Sequence, residues 1–231
     1  MVKNNETIIL SLGGSLIAPE NVDISFLRKF KDFILKEVEQ GNRFVVVCGG
    51  GKVCRNYQSA LKELNPNVST VSNDWVGIAA TKLNAELVKQ FLLEFACEKI
   101  LIDPDEEIKF DKPILIGAGF EPGHSTDYDT VLFAKKFGAK KLINLSNIEC
   151  LYNSDPKDNP KAKKLEEVTW DEIIKILPNE WSPGMNAPFD PIAAKLAKEY
   201  DLEVAIISGK NLNQLPLFLS NKRFIGTRIT N

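Results

Sequence analysis

The stretch RFVVVCGGGKVCR, residues 43–55, is the most informative part of the sequence for the architecture. A β-branched apolar run is typical of a buried strand, three consecutive glycines end it, and a helix-like segment then begins with Lys52 and Arg55. Glycine lets the backbone come close to a ligand, and the free N–H groups in the first turn of a helix favour phosphate. The stretch therefore predicts a strand–loop–helix unit that binds a phosphorylated molecule.

The same alternation continues along the chain, where apolar strand-like runs are followed by segments with one apolar helical face. The predicted strands are residues 7–12, 43–48, 98–102, 112–119, 140–145, 203–208 and 223–229. The predicted helices are residues 23–41, 52–64, 74–96, 127–138, 169–177 and 190–200. This order predicts an α/β fold, a three-layer α/β/α sandwich around a mainly parallel sheet, as one domain over residues 1–231, with a long loop at 153–167.

Composition narrows the range of functions. The chain has 29 basic and 31 acidic residues, which gives no reason to expect nucleic-acid binding. One histidine leaves little for a histidine zinc site or a Ser–His hydrolase, and four cysteines without metal-like spacing are typical of free thiols in a reducing cytosol. The chain shows no signal peptide and no apolar stretch that would span a bilayer, so we expect a cytoplasmic protein without a membrane partner.

Four strand ends carry glycines or residues with hydroxyl side chains, at residues 13–15, 49–51, 117–127 and 145–156. In an open α/β sheet, ligands bind at the carboxyl ends of the strands, so these loops predict a nucleotide together with a second phosphorylated molecule. A single glycine pair is equally well explained by a tight turn, but four such ends make turns alone a weaker explanation. The P-loop and dinucleotide-binding patterns are both absent, which disfavours Walker-type NTPases and dinucleotide dehydrogenases.

The motifs resemble those of the amino-acid-kinase superfamily and, within it, the UMP kinases of archaeal type. The resemblance covers nearly the whole chain, and the second glycine loop lacks the histidine expected of isopentenyl phosphate kinases. In family order, the matching stretches are LSLGGSL, VVVCGGGKVCRNY, DWVGIAATKLNAELV, GAGFEPGHSTD, LSNIECLYNSDP and GMNAPFDPIAAKLA. The resemblance implies ATP-dependent phosphorylation of UMP to UDP with Mg²⁺, an acceptor lobe at about 1–140, a triphosphate lobe at about 141–231, and a homohexamer.

The resemblance also implies a role for individual residues. On the ATP side, it implies contacts from Gly14, Ser15, Gly51, Arg55, Ser146, Asn147, Tyr152 and Asp155. On the UMP side, it implies contacts from Gly50, Asp74, Phe120, Glu121, Pro122, Gly123, His124, Ser125 and Thr126. Simpler interpretations remain open for some of them: Ser125 and Thr126 as helix caps, Asp155 as part of a turn, and His124 as an exposed loop residue.

One departure from the superfamily pattern concerns the reaction itself. The usual lysine two residues before the first glycine is replaced by Ser11, which cannot supply a positive charge. Phosphoryl transfer depends on positioning and charge neutralisation, so another cation must act or activity is low. Candidates are Arg55, Lys82, Mg²⁺ and above all Lys52, placed at the helix start, although Lys52 is equally well explained as a solvated surface residue.

The catalytic candidates are therefore Arg55, Lys52 and Ser11. Glu149 and Asp190 are candidates for holding magnesium or for orienting a lysine, although no residue is assigned as a metal ligand, and Asp190 is alternatively the cap of the helix that follows it. A non-catalytic nucleotide-binding or storage module on the same fold remains the alternative, with Ser11 as its best argument. A kinase of another small phosphate, such as isopentenyl phosphate, is a third interpretation.

Overall fold

A computed structural model describes residues 6–154, 159–178 and 187–231. Its strands are β1 Thr7–Leu12, β2 Arg43–Cys48, β3 Ile114–Gly117, β4 Lys141–Ser146, β5 Leu151–Tyr152, β6 Lys164–Leu165, β7 Glu167–Thr169, β8 Glu203–Ser208 and β9 Thr227–Thr230. Its α-helices are α1 Gly14–Ile17, α2 Ile24–Glu39, α3 Gly51–Leu64, α4 Thr70–Phe91, α5 Thr126–Lys136, α6 Trp170–Ile176, α7 Pro191–Glu199 and α8 Leu215–Leu219. A 3₁₀ helix covers Gly209–Gln214.

The predicted α/β architecture is confirmed. Seven strands form one sheet in the order β3-β2-β1-β4-β8-β9-β7, and every pairing except β8 with β9 is parallel. Alternate residues of the central strands enter different cores: Ile9 packs with α5, α6 and α7, while Leu10 packs with α2, α4 and α8. Because both faces are covered, the central strands are mainly apolar, as the sequence predicted, with buried polar exceptions such as Ser11 in β1 and Asn144 in β4.

Strand order brings the important loops together. β1 lies between β2 and β4, so the loops that follow these three parallel strands are neighbours at one edge of the sheet. That edge carries the first glycine loop, the second glycine loop and the start of the predicted triphosphate loop.

Several predicted boundaries were wrong. Residues 98–102 form no regular strand: Leu101 makes only an isolated bridge to Gly117, because the segment touches the edge strand β3 at single points. The final strand is shorter than 223–229 and begins after Gly226, whose φ of 156° turns the chain into β9. The predicted loop 153–167 contains β6, which pairs with β5 in a small antiparallel ribbon, and the start of β7.

Helix α4 begins earlier than predicted. Ser69 accepts a hydrogen bond from the amide of Ser72 and so caps the helix, which starts at Thr70 rather than at Asp74. Asp74 therefore lies within the second turn of a helix. In the part of the chain that the structure describes, no helix has both the length and the hydropathy needed to cross a membrane.

Candidate active site

The two glycine loops touch each other through their backbones. A Cβ atom added at Gly14 would lie 2.2 Å from the amide nitrogen of Gly51, and one added at Gly51 would lie 2.3 Å from the carbonyl oxygen of Gly14. Gly51 also has a φ of 64°, in the left-handed region that favours glycine. From α4, the Asn84 side chain donates to the carbonyl oxygens of Gly49 at 2.7 Å and Gly50 at 3.3 Å. The second loop is therefore held both by the first glycine loop and by α4.

A cavity of about 760 Å³ opens over this junction and extends to both sides of it. It falls within the range of about 300–1,000 Å³ that is usual for small-molecule sites. The predicted site residues that line it are Ser11, Gly14, Ser15, Gly50, Gly51, Arg55, Asp74, Glu121, His124, Ser125, Thr126, Ser146, Asn147 and Tyr152. Among the described residues, the lining does not include Lys52, Phe120, Pro122 or Gly123, and Asp155 lies outside the described residues.

Asp74 connects α4 to the predicted acceptor loop. Its carboxylate accepts a hydrogen bond from the amide of Gly123 at 3.1 Å, and burial raises its pKa. The start of the loop is held by the same helix, because the hydroxyl of Thr81 accepts from the amide of Gly119 at 2.9 Å. Gly123 thus acts through its backbone beside the cavity, in a conformation (φ 109°) that suits glycine.

His124 is not the exposed loop residue that the sequence left open. Its side chain is only 9% exposed, and Nε2 lies 3.0 Å from the Asp129 carboxylate. The imidazole also packs against the ring of Tyr128, with 4.4 Å between centroids. Burial disfavours a charge on His124, but the hydrogen bond to Asp129 and the nearby carboxylates outweigh it and hold the His124 pKa above its ordinary value.

Asp190 joins the acceptor loop to the other half of the molecule. One carboxylate oxygen accepts from the amides of Ile192 at 2.7 Å and Ala193 at 3.0 Å, which caps α7, while the other accepts from the amide of Ser125 at 3.0 Å. Ser125 in turn caps α5 by accepting from the amide of Asp127 at 3.1 Å. The structure therefore shows the helix-cap geometry for both residues, and in Asp190 the cap also ties two loops together.

Ser11 faces a buried carboxyl group. Its hydroxyl donates to Asp127 at 3.1 Å, and the amide of Asn144 donates to the same oxygen at 2.9 Å. Burial, followed by the negative charge of Asp190, raises the pKa of Asp127 to about 7. Two hydrogen bonds from neutral donors do not offset the loss of water around this group.

The candidate cations separate into one that reaches the cavity and two that do not. Arg55 lines the cavity and donates to the hydroxyl of Ser15 at 3.3 Å across the glycine junction. Lys52 instead lies 3.6 Å from Glu20, a residue of the segment after α1, and does not line the cavity. Lys82 does not line the cavity either, and Glu149 pairs with Lys164.

The far side of the cavity has the character of a base-binding slot. Ser146 ends β4 and Asn147 follows it, and the hydroxyl of Ser146 accepts from the amide of Ile148 at 3.3 Å. Beyond them, Tyr152 joins an apolar wall that would suit a purine ring. That wall is formed by Ile148, Leu151, Ile173, Ile176 and Leu177.

Sequence reasoning missed four residues that hold the site. Thr81 and Asn84 lie in a helix whose motif was noticed, but their bonds to loop backbone depend on the helix packing under both loops. Asn144 is a polar residue in the buried middle of β4, between Ile143 and Leu145, a signal that was available. Asp129 follows the acceptor loop at a distance of five positions from His124, and only the turn into α5 brings the two together.

Comparison with known proteins identifies the family. The family model of the amino acid kinase family matches residues 6–208. The chain belongs to the amino acid kinase family. A uridylate kinase of Thermococcus kodakarensis is 35% identical over 211 residues, which cover 90% of this chain and 92% of that one.

Solved structures of the family share the fold. Uridylate kinase from Archaeoglobus fulgidus superposes with a TM-score of 0.79 at 31% identity, covering 96% of this chain and 99% of the other. UMP kinase from Bacillus anthracis gives a TM-score of 0.76 at 18% identity and so shows likeness of fold alone. The resemblance inferred from the motifs is thus confirmed, including its archaeal character, since the uridylate kinases of Thermococcus kodakarensis and Archaeoglobus fulgidus are among the relatives.

Proposed function

We propose that the protein is a UMP kinase, which transfers the γ-phosphate of ATP to UMP and forms UDP and ADP. The observation that carries the proposal is the single cavity that joins an acceptor loop, residues 119–126, to a triphosphate loop, residues 146–152, across two touching glycine loops. The uridylate kinase relatives support the choice of UMP over other acceptors. An acceptor side of this kind would have no purpose in a module that only stored a nucleotide.

The geometry suits direct in-line transfer. The attacking oxygen belongs to the UMP phosphate, which is already ionised, so the chain needs no general base for this step. The glycine loops touch each other through their backbones, so in the proposed complex they would bring backbone close to both phosphates and set the distance between donor and acceptor. Arg55, held on Ser15 across the junction, is the residue that we assign to the developing charge of the transferred group.

The described residues fit a magnesium ion that arrives with the nucleotide. They contain no cluster of three or more acidic, histidine or cysteine ligands, but Mg²⁺ on a nucleotide normally needs only one or two carboxylates besides the phosphates. Asp127 lies on the cavity floor with the side chain of Asn144 beside it, and it would hold such an ion. When bound, the ion would neutralise phosphate charge next to a carboxyl group.

The proposal also covers the substrate that each lobe binds, the oligomeric state and the cellular location. We assign the acceptor to residues of about 1–140 and ATP to those of about 141–231, and we expect a homo-oligomer in the cytoplasm, with a hexamer as the form that the resemblance implies. Apolar side chains on the outer sides of α3 and α4 support association with further copies. Tyr57, Leu64, Val71, Trp75 and Leu83 are each about half exposed or more.

A coupled assay with ATP and Mg²⁺ tests this proposal. Purified protein is given UMP, CMP, dUMP and isopentenyl phosphate in parallel, and UMP is expected to show the highest kcat/KM. UMP should also raise the Tm, because it binds only the folded state. Better turnover of CMP or isopentenyl phosphate would replace the assigned acceptor, while ATP binding without turnover of any acceptor would favour the storage module.

A further inference from the structure

The acceptor side of the cavity is lined mainly by acidic side chains. Four carboxyl groups line it, those of Asp74, Glu121, Asp127 and Asp129, while Arg55 is the only lysine or arginine among the described lining residues. A nucleoside monophosphate brings a dianionic phosphate into this half, and like charges at close range disfavour binding. A further positive group on the acceptor side would offset that repulsion.

His124 is placed to be that group. Carboxylates approach it from each element around it: Asp129 from α5, Glu121 from the acceptor loop, Asp190 from the cap of α7 and Asp74 from α4. Tyr128 covers one face of the ring. Opposite charges on so many sides stabilise the imidazolium form.

Asp129 fixes the direction of the ring as well as its charge. It is 2% exposed, and while one oxygen meets Nε2 of His124, the other accepts from the amide of Phe120 at 3.4 Å. Both ends of the acceptor loop are therefore held by one carboxylate. With Nε2 engaged, Nδ1 is the ring nitrogen left for a ligand, and no described residue makes a hydrogen bond to it.

We propose that Asp129 is a positioning residue that holds His124 as an imidazolium ion, so that His124 binds the phosphate of the acceptor nucleotide. The inference rests on the proposed function, since it concerns the acceptor of the same site. It assigns Asp129 no contact with substrate and no proton transfer. Its consequence is that acceptor binding weakens as pH rises through the titration of His124.

His124 is the only histidine in the chain, which makes a direct test simple. The ring resonance of a single histidine is titrated by NMR between about pH 5 and pH 8, first without ligand and then with saturating UMP. The midpoint is expected to move to higher pH in the presence of UMP, because a dianion stabilises the imidazolium ion. An unchanged midpoint with UMP bound would overturn the phosphate contact.

Variants separate the role of Asp129 from a structural one. Asp129→Asn keeps the shape and removes the charge, so the ligand-free midpoint should fall by about one pH unit or more. KM for UMP should rise roughly tenfold near neutral pH, with kcat changed by less than about threefold, because a charge-assisted bond is lost from binding only. Asp32→Asn, on the exposed face of α2, is the matched control and should change neither quantity.

A double variant completes the experiment. If Asp129 acts through His124, then Asp129→Asn should add little to KM once His124→Gln is present. Full additivity would show that the two residues act independently and would overturn the proposal. Failure of UMP as a substrate, with a UMP-dependent midpoint intact, would instead reject the proposed reaction and leave the binding role of His124 standing.

Discussion

Ser11 on β1 donates its hydroxyl to Asp127 on α5 at 3.1 Å. The position at which the superfamily usually carries an ammonium group thus faces a buried carboxyl group whose pKa is raised to about 7. Near neutral pH, this carboxyl group binds a proton in part of the molecules, and the proton reduces the negative charge on the cavity floor. A protonated or metal-bound Asp127 makes the missing lysine less costly than it would be beside an ionised carboxylate.

Ser11→Lys tests whether the missing charge limits the reaction. The new ammonium group would pair with Asp127 and lower its pKa, but in the proposed reaction Arg55 already supplies a positive charge to the transferred group, so we expect kcat to change by less than about tenfold. Ser11→Ala, which removes only the hydroxyl bond, is the control for local packing. The measurement is kcat at saturating ATP–Mg²⁺ and UMP. A wild type without activity beside a Ser11→Lys variant that turns over would support the storage module instead.

The raised pKa of Asp127 predicts how stability changes with pH. The folded value of about 7 exceeds the ordinary 3.8, so this group favours folding fully below its unfolded pKa and loses that contribution as pH rises through 7. His124, whose pKa is also raised, acts in the same direction above its ordinary value. The free energy of unfolding should therefore fall between about pH 5 and pH 8.

Asp127→Asn isolates that contribution. The variant cannot ionise, so its free energy of unfolding should depend less on pH, and it should exceed that of the wild type at the alkaline end of the range. Urea unfolding at a series of pH values measures the effect, with Asp32→Asn as a control for loss of a surface carboxylate. Parallel curves for wild type and Asp127→Asn would show that Asp127 is ionised throughout.

The sequence predicted what depends on local pattern. Apolar runs predicted the central strands, and glycines at their ends predicted the loops. Both signals are contained in a few consecutive residues, so they can be read without the tertiary structure. Residues 98–102 misled because an apolar run beside a sheet edge need not form a ladder, and here only single bridges form. Helix α4 was placed too late because the Ser69 cap is a weaker signal than the apolar residues that follow.

The sequence predicted which residues belong to the site better than it predicted the contacts between them. Most residues taken from the motifs line the cavity, since the strand ends converge at one edge. Lys52 does not line the cavity, because it pairs with Glu20 in the segment after α1. Nothing in the local sequence predicts that pairing. The pairing of His124 with Asp129 likewise depends on the turn at which α5 begins.

Contact between the glycine loops predicts a large cost for a methyl group at Gly14. Its Cβ would lie 2.2 Å from one backbone atom and 2.4 Å from another, and backbone cannot move aside as a flexible side chain does. Gly138→Ala is the comparison, because Gly138 has a φ of 61° but open space, so it measures conformational strain alone, about 1–2 kcal/mol. Gly14→Ala should destabilise more than that and reduce activity more. Equal unfolding midpoints for the two variants would contradict the close approach.

Arg55 and Lys52 are the two candidate cations for the reaction, and their variants should differ in activity. Arg55 lines the cavity and bonds to Ser15, whereas Lys52 pairs with Glu20 beside it. Arg55→Ala should lower kcat/KM by roughly ten- to a thousand-fold, because a charge aimed at the transferring phosphoryl group contributes a few kcal/mol to the transition state. Lys52→Ala should cost much less, and Arg223→Ala, at a surface pair with Glu166, controls for loss of any arginine. The loss for Arg55→Ala should appear mainly in kcat, since the charge that Arg55 meets develops during transfer. If Lys52→Ala proved the more damaging change, Lys52 would have to move from Glu20 to the phosphates when substrates bind. Arg55 would then be assigned to holding the two glycine loops together and not to the reaction.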